Sequence, residues 1–162
     1  MLRTLGKGPA LTVLLIDVLK GVAAILLARW FFPWLKLPAD LQPWAVCLCG
    51  LAVLLGHSRS IWLGFTGGKS AATGLGVLLA LSWPVGAGAA AVFALVLAVA
   101  RIVSLASMLA ALTAIALVHV LPEPLPYRLL VVAGGLYVIA LHRANIVRLL
   151  AGTEPKVGRR GT

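Results

Sequence analysis

Six apolar runs fill most of this 162-residue chain and constrain its fold more than any other feature. They cover residues 11–32, 41–55, 71–83, 85–100, 102–121 and 127–141. With 62% hydrophobic and 11% charged residues, the chain has too few polar side chains to cover a soluble globule. Backbone groups in hydrocarbon need hydrogen-bond partners within their own segment, which favours helices. The sequence therefore predicts an all-α, polytopic integral membrane bundle of about six transmembrane helices, forming one domain over residues 1–162.

Several runs are shorter than the roughly 20 residues that a full crossing needs, so we expect them to extend into the flanking loops. Orientation is predicted from the basic residues, which favour the cytoplasmic side of a membrane. Of 14 Lys and Arg residues, most lie before the first run or after the second, fourth and sixth. Both termini are therefore expected in the cytoplasm. The net charge of +10 is explained by this topology and by anionic membrane lipid, so nucleic acid is not an expected partner.

The segment "GHSRSIWLGFTGGKSAATGLG", residues 56–76, contains a Gly-Gly-Lys-Ser that resembles a nucleotide-binding P-loop. A P-loop requires a further glycine five residues before Gly68, where this chain has Leu63, and no strand precedes the segment. An ATPase is therefore not predicted. Glycines followed by Lys69 still suit an anion.

Two more polar clusters are expected on the same membrane face. "RIVSLAS" places Ser104 and Ser107 on one helical face, where hydroxyls can bind a ligand or only the backbone. The cluster from His142 to Glu154 lies in "LHRANIVRLLAGTEPKVG", which aligns His142, Asn145 and Arg148 at intervals of three residues. Its alternative is a basic amphipathic segment on anionic lipid.

The first apolar run carries two ionisable residues, Asp17 and Lys20. Their spacing favours an ion pair at the edge of a polar cavity. Cys and His show no metal-ligand spacing, and we expect neither a metal nor another cofactor.

Together, the three polar motifs resemble the bacterial acyl-phosphate:glycerol-3-phosphate acyltransferases, the PlsY family. "LRTLGK" and "DVLKG" near the N-terminus also match that family, so the resemblance extends from Leu2 to about Gly158. It implies transfer of a fatty acyl group from acyl phosphate to the 1-hydroxyl of glycerol 3-phosphate. It also implies a bacterial inner-membrane protein, expected to be a monomer, with its active site in the cytoplasm.

The resemblance also implies roles for particular residues. His142, Asn145 and Ser104 are the expected catalytic group, with either His142 or a substrate phosphate oxygen accepting the hydroxyl proton. The substrate phosphates are expected to be bound by Arg3, Gly67, Gly68, Lys69, Arg143 and Arg148. Alanine at His142 or Asn145 is expected to lower activity without unfolding, because both are placed at the membrane boundary outside a packed core.

The chain departs from the family pattern in three places. Thr66 replaces a usual Lys, and Ser70 replaces a usual Gly. The family also has a seventh helix and a Ser-Gly-Asn-x-Gly-x-Thr-Asn loop before the position of Met1. We therefore expect either a shortened relative that turns over slowly or a start codon assigned too late. A non-catalytic relative and a transporter of a phosphorylated anion are the alternative functions.

Overall fold

The computed structural model of the protein describes residues 7–158, which form seven α-helices and two short 3-10 turns. The helices are α1 (Lys7–Phe31), α2 (Gln42–Ser58), α3 (Ala71–Leu81), α4 (Trp83–Ala100), α5 (Val103–Val120), α6 (Leu125–Leu141) and α7 (Arg143–Leu150). The 3-10 turns are Phe32–Leu35 and Ile61–Leu63. The predicted all-α architecture is confirmed, and each of the six apolar runs forms one helix.

Helix length decides which of these elements can cross a bilayer alone. Among the described residues, three segments are long and apolar enough: Gly8–Leu35, Trp83–Ala100 and Val103–Val120. A fourth results if α6 is joined to α7, although the two are bent by 57°. As expected, α2 extends beyond its apolar run to Ser58. The same expectation is wrong for α3.

The third helix has only 11 residues, a length of about 16 Å. It ends at Leu81, and Ser82 is extended, with φ −145° and ψ 99°. Pro84 explains the break, because its ring lacks an N–H and would clash with the carbonyl group four residues earlier in a continuous helix. The helix is thus much shorter than the membrane core, and its first residues lie inside the protein.

Close contact between α1 and α3 is possible because two glycines face each other's backbone. A Cβ atom on Gly21 would overlap with the carbonyl oxygen of Thr73, and one on Gly76 would overlap with that of Val18. Small residues at helix crossings allow backbones to approach in lipid, where van der Waals packing stabilises the bundle. A glycine of α4 makes a similar contact, since Gly86 lies against the backbone of Leu79.

Arg29 anchors the other end of α3. Its guanidinium donates hydrogen bonds to the carbonyl oxygens of Ala80 (2.6 Å) and Leu81 (2.9 Å) and to the hydroxyl of Tyr127 (3.1 Å). A cation near the last carbonyls of a helix is favourable. Arg29 and Tyr127 thus make polar contacts where α3 ends. At its other end, α3 begins directly after the polar residues Lys69 and Ser70.

The outer surface of the bundle is apolar. Long side chains such as Leu19, Leu27, Leu48 and Leu95 are each more than 60% exposed. A soluble protein rarely leaves so much contiguous apolar surface in water, and this exterior suits lipid. The confirmed architecture is that of a multi-pass membrane protein.

Candidate functional site

The loop between α2 and α3 places the Gly-Gly-Lys-Ser segment directly against the end of α2. The Gly68 N–H donates a hydrogen bond to the carbonyl oxygen of His57 over 3.2 Å. A Cβ atom on Gly67 would overlap with that same oxygen, and a Cβ atom on Gly68 would overlap with Nε2 of the His57 ring. A side chain at Gly67 would therefore require the loop or α2 to move, whereas one at Gly68 would require the His57 ring to move.

Ser70 starts α3 in the left-handed conformation, with φ 58°. This region favours glycine, which is the residue expected here from the family pattern. The Ser70 hydroxyl is fully buried and donates to the carbonyl oxygen of Leu54 over 2.7 Å. Because the hydroxyl is engaged there, it does not cap α3. The first N–H groups of the helix keep their capacity to bind an anion.

Lys69 lies beside Asn145, although 76 positions separate them in the sequence. The Lys69 ammonium donates a hydrogen bond to Asn145 Oδ1. Asn145 Nδ2 in turn donates to Glu154 Oε1 over 2.6 Å. The structure thus joins two of the three polar motifs through one buried amide.

Glu154 organises this cluster, although the sequence analysis assigned it no role in the site. Its carboxylate accepts hydrogen bonds from Ser104 Oγ (2.6 Å), Asn145 Nδ2 (2.6 Å) and Arg148 Nε (2.7 Å). Ser104 is therefore bonded to a side chain, and the alternative in which it bonds only the backbone is wrong. The signal that could have identified Glu154 is its isolation as the only acidic residue after α6.

The segment after α7 folds back over the bundle and delivers Glu154 to the site. The Val157 N–H donates to the carbonyl oxygen of Arg101 over 2.7 Å, which ties this segment to the corner between α4 and α5. The Thr153 N–H donates to the carbonyl oxygen of Arg148 over 2.8 Å at the end of α7. Two backbone anchors on either side of Glu154 explain how one residue contacts both α5 and α7.

The charges in this cluster influence one another. Burial opposes ionisation of Glu154, but hydrogen bonds from Ser104, Asn145 and Arg148 and the Arg148 charge outweigh it, so the pKa of Glu154 is lowered. Partial burial lowers the pKa of Lys69, the Arg148 charge lowers it further, and Glu154 opposes both. The carboxylate is therefore kept ionised as the counter-charge of two cations.

His142 lies at the bend between α6 and α7, and its side chain is buried. Its Nδ1 is 2.8 Å from the carbonyl oxygen of Val138, so in the neutral ring Nδ1 carries the proton and Nε2 is an acceptor. Burial lowers the pKa of His142, and the Lys69 charge acts in the same direction. The Val138 hydrogen bond and Glu154 oppose this shift. The balance favours a neutral imidazole, as a proton acceptor requires.

His142 and Asn145 are 3% and 5% exposed, so the expectation that they lie outside the packed interior is wrong. Both are brought into the cluster because α7 turns its polar face toward the bundle. Arg143 begins the same helix on its exposed face, and its side chain makes no hydrogen bond to the described part of the chain. Arg3 lies outside the described residues.

The Asp17–Lys20 pair is observed as predicted, with 2.6 Å between Lys20 Nζ and Asp17 Oδ1. Lys20 also makes a second contact, which the sequence did not indicate. Lys20 Nζ lies 2.5 Å from Nδ1 of His57, the residue that supports the glycine loop. An intramembrane ion pair is thus connected to the polar end of the bundle through one imidazole.

Below the polar cluster lies an apolar cavity of about 350 Å³. Its wall at the polar end includes Ala71, Ala72, Ser107 and Val138, and it continues between α4, α5 and α6 to Ala89 and Ala114. Ala71 and Ala72 follow Lys69 and Ser70, and Val138 is the hydrogen-bond partner of His142. A polar cluster that contains Lys69, Arg148 and Glu154 and an apolar cavity therefore adjoin each other.

Comparison with known sequences identifies this arrangement with one family. The family model described as glycerol-3-phosphate acyltransferase matches residues 1–152. Glycerol-3-phosphate acyltransferase 2 of Rhizobium johnstonii is 68% identical, over 98% of this chain and 78% of that protein. The glycerol-3-phosphate acyltransferase of Trichormus variabilis is 54% identical, over 100% of this chain and 76% of that protein.

Solved structures agree with the sequence comparison. The glycerol 3-phosphate form of PlsY (YgiH), an integral membrane glycerol 3-phosphate acyltransferase, superposes with a TM-score of 0.86 at 34% identity. The match covers 97% of this chain and 75% of that one. The lysophosphatidic acid form gives a TM-score of 0.85 at the same identity. Fold and sequence thus lead to the same family.

Proposed function

The chain belongs to the glycerol-3-phosphate acyltransferase family, and from this premise we propose the reaction that it catalyses. A fatty acyl group is transferred from an acyl phosphate to the 1-hydroxyl of glycerol 3-phosphate. The products are lysophosphatidic acid and inorganic phosphate. The observation that carries this proposal is the position of the apolar cavity next to the cationic cluster around Lys69, because the reaction brings a phosphorylated acceptor and a hydrocarbon chain together.

Substrate binding follows from the chemistry of the two regions. The Gly67–Gly68 backbone, the first N–H groups of α3 and Lys69 bind the phosphate of glycerol 3-phosphate, with Arg148 adding positive charge. Pockets for small molecules are mostly apolar, with few polar groups that fix orientation, and this cavity fits that description. Its small wall residues accept the acyl chain, which places the acyl carbonyl near His142 and Asn145.

The reaction requires no covalent enzyme intermediate. The 1-hydroxyl oxygen attacks the acyl carbonyl carbon, the bond from that carbon to the phosphate oxygen breaks, and inorganic phosphate leaves. The hydroxyl proton passes to Nε2 of neutral His142 or to a phosphate oxygen of the substrate. Positioning of two bound substrates and neutralisation of the phosphate charge supply the rate acceleration.

We place the protein in the bacterial inner membrane as a monomer and a single domain, with the polar cluster and both termini in the cytoplasm. The separation of Lys69, Arg148 and Arg101 from Arg29 and Arg128 at opposite ends of the bundle supports this orientation. Reporter fusions after Lys36 and after Glu123 should read as external. A cytoplasmic signal at either position would contradict the topology.

The deciding experiment measures transfer by the purified protein in detergent, and uptake of label by the same protein in sealed lipid vesicles. Radiolabelled glycerol 3-phosphate is supplied with palmitoyl phosphate, palmitoyl-CoA or palmitoyl-acyl carrier protein in separate reactions. We expect labelled lysophosphatidic acid and stoichiometric phosphate release with the acyl phosphate alone. Transfer from the thioesters but not from the acyl phosphate would refute the proposed donor, and uptake of label into vesicles without transfer would indicate a transporter.

A further inference from the structure

His57 is a titratable residue that touches the glycine loop and has no role in the reaction outlined above. It lies on α2, one residue before the end of the helix, and its side chain is 16% exposed. Its backbone carbonyl accepts the Gly68 N–H, and its ring tip, Nε2, faces the Cα atom of Gly68. The imidazole therefore forms part of the surface on which the loop rests.

The partners of the ring determine which nitrogen carries the proton. Lys20 Nζ lies 2.5 Å from His57 Nδ1, and Lys20 is ion-paired with Asp17 at 2.6 Å. An ammonium group can only donate, so Nδ1 must be the acceptor. A neutral imidazole that accepts at Nδ1 carries its proton at Nε2. Asp17 Oδ1 is 3.8 Å from Nδ1, too far to compete as an acceptor.

The Nε2–H group thus points to the glycine loop. In the part of the chain that the structure describes, the hydrogen bonds of the His57 side chain involve Nδ1 alone. The donor at Nε2, next to Gly67, Gly68 and Lys69, therefore has no acceptor among residues 7–158. An unpaired, partly exposed N–H beside a cationic glycine loop is suited to an oxygen of an anion.

We propose that His57 is a further ligand of the phosphate monoester bound by Gly67, Gly68 and Lys69, to which it donates a hydrogen bond from Nε2. Lys20 and Asp17 are positioning residues that hold the ring in this tautomer. The proposal rests on the proposed function, because it assumes that the glycine loop binds the phosphate of glycerol 3-phosphate. It explains why an ion pair on α1 is coupled to the loop.

Two substitutions of similar chemistry separate the proposed hydrogen bond from a purely structural effect. In His57→Gln, the amide nitrogen reaches the position of Nε2, whereas in His57→Asn the side chain is one methylene shorter and reaches only the level of Nδ1. Equilibrium binding of radiolabelled glycerol 3-phosphate, without donor, is measured for both variants, and the thermal midpoint is measured alongside. Competition by inorganic phosphate is measured in the same assay.

We expect His57→Asn to weaken binding of glycerol 3-phosphate and of inorganic phosphate about tenfold, the effect of one charge-assisted hydrogen bond. His57→Gln should stay within about threefold of the unsubstituted protein, and KM for the acyl donor should not change. Equal binding by His57→Asn and the unsubstituted protein would overturn the proposal. So would equal losses in both variants, or a loss for glycerol 3-phosphate without one for inorganic phosphate.

The tautomer gives a second test that does not need a substituted His57. The sequence has three histidines, so their ¹⁵N resonances can be assigned by removing His119 and His142 in turn. We expect His57 to be protonated at Nε2 and its Nε2 signal to move on addition of glycerol 3-phosphate. Lys20→Met should shift the proton to Nδ1, toward Asp17. A His57 protonated at Nδ1 in the unsubstituted protein would refute the inference.

These outcomes distinguish the inference from the proposed function. If the unsubstituted protein transfers acyl groups while His57→Asn binds normally, the inference fails and the function stands. If phosphate binding depends on His57 but no acyl transfer occurs, the proposed reaction fails and the phosphate ligand stands.

Discussion

Asn145 donates a hydrogen bond from Nδ2 to Glu154 Oε1 over 2.6 Å and accepts one at Oδ1 from the Lys69 ammonium. The nitrogen and oxygen of an amide are hard to distinguish by shape, but here a carboxylate can only accept and an ammonium can only donate. The orientation of the amide is therefore determined by its two partners. Asn145 links the glycine loop, α7 and the returning C-terminal segment into one cluster.

Lys69→Ala should reduce acyl transfer at least about tenfold, because a charged hydrogen bond to phosphate contributes roughly 1.5 to 3 kcal/mol. The matched control is Lys36→Ala, which removes the same side chain at the opposite end of the bundle. Steady-state rates at varied glycerol 3-phosphate give the comparison. If the two variants had equal kcat/KM, Lys69 would not be a phosphate ligand.

Glu154→Gln should lower both activity and thermal stability. The amide keeps the shape of the carboxylate but loses its charge, so Arg148 and Lys69 lose their counter-ion, and one of the three donors loses its acceptor. The pKa of Glu154 is lowered in the folded protein, so it adds stability above its ordinary pKa that is lost as the pH falls through the lowered value.

Thermal midpoints in detergent at a series of acidic pH values test this. The unsubstituted protein should lose stability over that range, and Glu154→Gln should lose less of it. Parallel curves for the two proteins would show that Glu154 is not the responsible group.

His142 should be required in its neutral form. Its pKa is lowered chiefly by burial, so transfer should persist at pH values below the ordinary histidine pKa and decline only as the lowered pKa is reached. The measurement is a pH profile of kcat. We expect His142→Gln to have a lower kcat that does not decline at acidic pH. His119→Gln is the control, because His119 is exposed and its side chain, among residues 7–158, is hydrogen-bonded only to the carbonyl oxygen of Ile115. An unchanged profile in His142→Gln would exclude it as the titrating group.

Ala114→Phe should shorten the acyl chain that the protein prefers. Ala114 is 2% exposed and lines the cavity away from the polar cluster, where a phenyl ring would occupy space assigned to the end of the chain. We expect the ratio of palmitoyl to octanoyl transfer to fall several-fold. Ala116→Phe makes the same change two residues along on the exposed face of α5 and should leave that ratio unaltered. Identical ratios in both variants would place the acyl chain elsewhere.

The helices were predictable because their cause is local. A run such as residues 102–121 must satisfy its own backbone in hydrocarbon, whatever surrounds it, and α5 (Val103–Val120) reproduces it almost residue for residue. The break after Leu81 was less evident. It depends on Pro84, whose effect on the preceding turn competes with an apolar run that continues through Trp83.

The sequence was enough to select residues of the candidate site, but not to predict which of them contact each other. Lys69, Ser104 and Asn145 could be selected because they lie in the polar motifs that resemble those of the family. The partner itself, Glu154, lies in a segment of ordinary loop composition. It enters the site only because Val157 and Thr153 fasten that segment to the bundle.

By itself, the sequence determined that this protein is a helical membrane protein and a glycerol-3-phosphate acyltransferase relative, because apolar runs and short motifs are properties of consecutive residues. Only the tertiary structure decided which of the polar residues meet. Lys69 and Asn145 are 76 positions apart, and Lys20 and His57 are 37 apart. Their contacts depend on how closely α1 and α3 pack through Gly21 and Gly76, and on where α7 turns. Such distances are set by the packing of whole helices, which no single stretch of sequence specifies.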